Sequence, residues 1–213
     1  GYSGAIIGAC SAKDQQWLES ICPRMPVVLI NRESEHFSTV CTDNDEVGLM
    51  AATKIRQKGY TEAAIFASGH SYFATNRRVQ AFINSCEQLG IKTDEKYILK
   101  GLSTRKGGYE IGKQYASLKE PPKMIFCDSD AIALGALRAF HEQGISVPED
   151  AQLLSIGMLD PGAASYYVPS LSVVEMPNKE IGQQVLRLVR KKVLNNDLTP
   201  EHVKVHAKLM LRE

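Results

Sequence analysis

The chain has 213 residues, 44% of them hydrophobic, and a formal net charge of +1, proportions that let a globular protein bury a sizeable core. Basic residues are not clustered, so nothing in the chain itself demands nucleic acid, and no apolar run is long enough to cross a bilayer. The opening residues Gly1 to Ile7 lack the basic and apolar regions of a secretory signal, and the odd set Cys10, Cys22, Cys41, Cys86 and Cys127 contains no CxxC pair, so a reducing cytoplasm is the natural compartment and neither a disulfide framework nor a zinc site is indicated.

The pattern predicts a short strand over Gly4 to Gly8, then an amphipathic helix over Ala12 to Cys22 carrying Trp17, Leu18 and Ile21. Val27 to Ile30 is uniformly apolar, which suits a strand covered on both faces. Ser38 to Cys41 is another strand. Asp43, Asn44 and Asp45 open a helix over about Glu46 to Lys58, stopped by Gly59. A strand over Ala63 to Ala67 leads into a polar and aromatic loop, Ser68 to Ala74, and a helix over about Asn76 to Leu89. Tyr97 to Lys100 reads as strand and Arg105 to Leu118 as helix, with Pro121 and Pro122 as a break.

Met124 to Cys127 is an apolar strand followed by Asp128, Ser129 and Asp130, all able to cap a helix; Ala133, Leu137 and Phe140 then recur at helical spacing until Gly144. Leu153 to Ile156 and Ser170 to Val174 are extended. Asn178 to Leu194 is a helix with Ile181, Val185, Leu188 and Val189 on one face and Arg187, Arg190, Lys191 and Lys192 on the other, a face that reads as solvated. Val203 to Leu211 alternates like a single edge strand. This alternation of strands and helices is the mark of an α/β protein with parallel sheets.

In such a fold ligands bind beyond the C-terminal ends of the strands, where Asp128, Ser129 and Asp130 fall. Capping needs only one of the three, so ligand contact stands beside capping as a reading for the others. Arg78 sits in the first turn of its predicted helix, where a cation opposes the helix dipole. Recognition of hydroxyl or carboxylate groups is one reason for that placement, and a surface salt bridge is another. His70 has no carboxylate or cysteine at triad or ligand spacing, residues Ser68 to Ser71 form no nucleophile elbow, and GxGxxG and GxxxxGK are absent. No catalytic residue, metal ligand or cofactor is expected.

The segment Ile125 to Phe140, followed by Gly144, Ile145, Ser146, Val147, Pro148, Glu149 and Asp150, resembles the LacI/GalR family of bacterial transcriptional regulators. Thr42, Asp43 and Asn44 leading to Gly59 and Tyr60, the run Arg78 to Phe82, Ser155 to Gly157 with Asp160, Pro169 to Val174 and the final Leu211, Arg212 and Glu213 match that family in order and spacing. The resemblance implies a periplasmic-binding-protein-like effector domain of two Rossmann-like parallel-sheet subdomains, the N-terminal one incomplete, closing on a small-molecule effector. It places residues 1–42 and 174–201 in the N-terminal subdomain and 43–173 and 202–213 in the C-terminal one.

Carried over by position, the implied ligand-binding residues are Gly8, Asn31, Tyr72, Phe73, Ala74, Arg78, Ser103, Ser129, Leu159, Asp160, Met176 and Asn178, with Arg78 as the anchor lining a solvent-open cleft and Asp130 as a helix cap. Leu159 stands where the family often carries an aspartate for sugar hydroxyls, and Ser103 where it often carries an aromatic platform, so the implied pocket is less specialised for sugars. The resemblance also implies a homodimer, operator DNA bound only through a helix-turn-helix headpiece absent from this chain, and no membrane partner. A stand-alone solute-binding protein of a transport system is the alternative, and a Rossmann-type enzyme a third reading without a cofactor fingerprint.

Overall fold

Each run of alternating strand and helix closes on a parallel sheet with its own core. The computed structural model describes residues 1–21, 23–69, 73–157 and 163–212. In chain order the elements begin β1 (Ala5–Ile7), α1 (Ala12–Ile21), β2 (Val27–Ile30), β3 (Ser38–Thr42), α2 (Asn44–Gln57), β4 (Ala64–Ser68), α3 (Phe73–Gln88), β5 (Ile98–Gly101) and α4 (Arg105–Ala116). They continue with β6 (Met124–Cys127), α5 (Asp130–Gln143), β7 (Gln152–Gly157), β8 (Ser172–Glu175), α6 (Asn178–Asn195), β9 (His202–Val205) and β10 (Lys208–Met210). The chain divides into two compact units, Gly1–Asp43 with Pro177–His206 and Asn44–Met176 with Ala207–Glu213.

The first unit holds a four-stranded parallel sheet in the order β1-β2-β3-β9. Successive side chains of a strand point to opposite faces. Val27 and Leu29 of β2 therefore pack with Leu18 of α1, while Val28 packs with Ile181, Val185 and Leu188 of α6. The apolar run of β2 is thus covered on both faces. Trp17 and Ile21 of α1 are exposed, and only Leu18 of that helix is buried.

The second unit holds a six-stranded sheet in the order β10-β8-β7-β6-β4-β5, parallel except for β10. The same period of two divides its core. Ile65 and Ala67 of β4 and Met124 and Phe126 of β6 join Val47, Ile55 and Phe82 of α2 and α3. Ala64, Phe66, Ile125 and Cys127 join Ile111, Tyr115, Ile132 and Phe140 of α4 and α5. Phe82 stacks on Phe126 at a centroid distance of 4.0 Å, and Phe66 meets Tyr115 edge-on at 5.5 Å. Glycines let α4 and α5 touch: a Cβ on Gly108 would strike the carbonyl oxygen of Ile132, and one on Gly135 that of Arg105. Gly144 ends α5 in the left-handed region, at φ 71°.

Several expectations change. The tail is two strands, since β9 pairs in parallel with β3 and β10 pairs antiparallel with β8. The boundaries that the resemblance implied also move: residues 174–176 go with the second unit, and residue 43 and residues 202–206 with the first. Helix α3 begins at Phe73, which puts Arg78 in its second turn. Lys192, expected on a solvated face, is 2% exposed; its Nζ reaches Asp197 Oδ2 at 3.0 Å and the carbonyl of Thr199 beyond the end of α6. Cys10, Cys41, Cys86 and Cys127 are free thiols, and burial pushes Cys86 up to about 12. No described helix is long and apolar enough to cross a membrane.

Candidate functional site

Parallel pairing gathers the C-terminal ends of β4, β5, β6, β7 and β8 on one edge of the six-stranded sheet. Beyond those ends the chain enters α3, α4 and α5. Thr104 caps α4 by accepting from Gly107 N at 3.0 Å, and Ser129 caps α5 by accepting from Ile132 N at 3.3 Å. Ser129, not Asp130, is therefore the cap, because a residue in extended backbone one position before the helix aims its oxygen at the free amides. Asp130 is the first helical residue and is itself buried. The hydroxyls of Ser103 and Ser129 lie 3.4 Å apart, joining the end of β5 to the end of β6.

Arg78 departs most from expectation. Its side chain is 2% exposed rather than solvent-open, and its Nη1 lies 3.7 Å from the Met176 sulfur. Burial pulls the guanidinium down to about 10, against the attraction of Asp128. The surface ion pair belongs instead to its neighbour, Arg77 to Asp45 at 3.4 Å.

Asp128 comes directly after the apolar run of β6. Continuing the strand's alternation by one residue puts it on the α3 face, the face that carries Phe126. It is fully buried, and Oδ2 accepts from Ser68 N at 2.5 Å. Oδ1 has no hydrogen-bond partner among the described residues. Burial raises its carboxyl to about 6, outweighing the Ser68 amide and the Arg78 charge, which both favour the carboxylate. Two buried groups of opposite charge thus share one strand-end edge, each held in its charged form against the cost of burial.

Of the expected site residues, the structure collects Arg78, Ser103, Ser129 and Met176 in the second unit. Phe73 and Ala74 are the first two residues of α3. Tyr72, Leu159 and Asp160 lie outside the described residues. Gly8, Asn31 and Asn178 belong to the first unit: Gly8 follows β1, Asn31 follows β2, and Asn178 opens α6. Asn31 adopts a left-handed backbone, φ 51°, and its Oδ1 accepts from Thr42 N at 3.0 Å. That oxygen ties β2 to β3, so only the amide nitrogen remains for other work. Asp128, a candidate for ligand contact from its place at a strand end, is absent from the set carried over by resemblance; its signal is an acid placed directly behind four apolar residues. A separate cavity of about 410 Å³ lies at the opposite, N-terminal ends of β2 and β3, lined by Pro26, Val27, Ser38 and Lys192.

The family model described as a periplasmic binding protein-like domain matches residues 52–213. The HTH-type transcriptional repressor PurR of Escherichia coli is 28% identical over 177 residues, 83% of this chain and 51% of its own. The chain thus spans about half the length of the curated relatives it matches. A LacI family transcription regulator from Clostridium acetobutylicum superposes at a TM-score of 0.93 with 31% identity, over 100% of this chain and 79% of its own. A LacI family regulator from Enterococcus faecium with bound ribose shares the fold at a TM-score of 0.82 and 20% identity, over 99% and 78%. The chain belongs to the periplasmic-binding-protein-like family, as the effector-binding domain of a LacI/GalR-type regulator.

Proposed function

We propose that the chain senses a small polar metabolite, a sugar or a related molecule, at the C-terminal edge of its six-stranded sheet, within a DNA-binding regulator that works in the cytoplasm as a homodimer. The observation that carries this reading is the buried Arg78 fork at a strand-end edge also provided with the Ser103 and Ser129 hydroxyls. A guanidinium presents coplanar donors that suit vicinal hydroxyls. Gly8, Asn31, Tyr72, Phe73, Ala74, Leu159, Asp160, Met176 and Asn178 complete the proposed ligand set. DNA is contacted through a headpiece outside this chain, and ligand shifts operator affinity by binding one conformation better than another. The chain performs no catalysis and needs no cofactor. The relatives are regulators, which favours this reading over a transport system's binding protein.

Titration calorimetry of the full-length regulator with pentoses, hexoses and disaccharides tests the reading, with operator binding measured in parallel. Arg78→Ala is expected to weaken the sugar that binds by about tenfold to a hundredfold, from lost charged hydrogen bonds of about 1.5–3 kcal/mol each. An unchanged dissociation constant with an unchanged melting temperature removes Arg78 from the site. Sedimentation at micromolar concentration is expected to give a dimer; a monomer overturns that part.

A further inference from the structure

We propose that Asp128 sets the charge class of the ligand: by offsetting the Arg78 guanidinium, it makes this edge accept neutral, hydroxyl-rich molecules and reject anions. The inference rests on the proposed ligand-sensing reading and narrows it. An arginine fork alone suits a carboxylate or phosphate as well as a diol, and usually prefers the anion. What changes the preference here is the second charge.

Three observations carry it. Asp128 is fully buried beside the strand end, on the face from which α3 brings Arg78, so its charge is poorly screened by water. One of its oxygens is fixed by the Ser68 amide, which holds the carboxylate in place, while the other is left without a hydrogen-bond partner among the described residues. A buried acceptor in that condition is one that a donor from outside the described residues would satisfy. Finally, among the described residues the ionisable groups acting on Asp128 are Arg78 from α3 and the Cys127 thiol of its own strand, and of these only Arg78 is a cation. An incoming anion would meet Arg78 already compensated by Asp128. A hydroxyl meets both a donor fork and an acceptor carboxylate. Specificity then comes as much from rejecting the wrong charge as from holding the right one.

Inorganic sulfate, which keeps its double charge from pH 5 to 8, is the probe. In the full-length regulator at constant ionic strength and pH 7.5, calorimetry is expected to find no saturable sulfate binding to wild type. Asp128→Asn is expected to gain it, with affinity at least about tenfold higher, one step of 1.4 kcal/mol. The gain should vanish in the Asp128→Asn, Arg78→Gln double variant. Wild type at pH 5, where Asp128 takes up its proton, is expected to reproduce the gain without any mutation. Sulfate bound by wild type at pH 7.5 through Arg78 overturns the proposal, as does no gain in both the variant and the acidified wild type. Because no sugar enters this experiment, failure of the sugar titrations leaves its outcome readable.

Discussion

Replacing Asp128 by asparagine is expected to stabilise the second unit at neutral pH and to do nothing at pH 4. The carboxyl stands at about 6 in the folded chain against an ordinary 3.8, and that rise is the net of burial over the attractions of Ser68 N and Arg78. Folding therefore favours the protonated acid. The associated stability is fully present below about pH 3.8 and is lost as pH rises through 6. Two units at about 1.4 kcal/mol each make about 3 kcal/mol the most that ionised Asp128 costs the folded state above pH 7. Asparagine keeps the shape and an oxygen for the Ser68 amide, and it carries no charge.

Hydrogen exchange of the β6 and α5 amides between pH 4 and 7.5 reads this directly. Tryptophan fluorescence does not, because the one tryptophan, Trp17, lies in α1 of the other unit. The variant should be more protected at pH 7.5 by up to about 3 kcal/mol, the difference closing towards pH 4. A variant less stable than wild type at pH 7.5, or a difference that does not depend on pH, refutes the reasoning. The first result would mean that the attractions of Ser68 N and Arg78 outweigh burial, the second that they cancel it.

Two further predictions concern packing. Gly135→Ala drives a methyl into the Arg105 carbonyl and should cost about 3 kcal/mol or more by forcing α4 and α5 apart, whereas Gly182→Ala in α6, where nothing lies within 4 Å, should gain up to about 1 kcal/mol from helix propensity. Urea unfolding of the pair gives opposite signs if the close approach of α4 and α5 is real. Lys192→Ala should lower the melting temperature and Lys192→Met should lower it less, because methionine restores the buried stem and loses only the contacts to Asp197 and Thr199. Equal melting temperatures for all three proteins would show Lys192 to be solvated after all.

Much of the fold was legible because both sheets are buried on two faces. An apolar run such as Val27 to Ile30 or Met124 to Cys127 has one use in a chain that alternates with helices, and Gly144 marks the end of α5 without help from the rest of the molecule. The tail was not legible, because alternation over Val203 to Leu211 satisfies an edge strand in either sheet. Its division at Val205 depends on which partner lies beside it. Within the site, the position of Ser129 before a helix was readable, while the burial of Arg78 was not: a helical residue's exposure depends on what packs over it, here Met176 from the end of β8.

Two positions break the local rules, and they break them differently. Lys192 is a buried lysine on a face that should be wet, yet Asp197 and the Thr199 carbonyl meet its ammonium, so packing accounts for it. Asp128 follows four apolar residues into the interior, and its environment raises its pKa and leaves one oxygen without a described partner. A purely structural position would favour asparagine or serine there, either of which accepts from Ser68 N without a charge. A site that must keep an arginine yet refuse anions needs the charge itself. Proteins retain destabilising groups where function uses them. The stability gain expected of Asp128→Asn and the sulfate binding expected of the same variant are therefore one claim tested twice. A variant that gained stability and still rejected sulfate would leave the buried acid with a cost and no use.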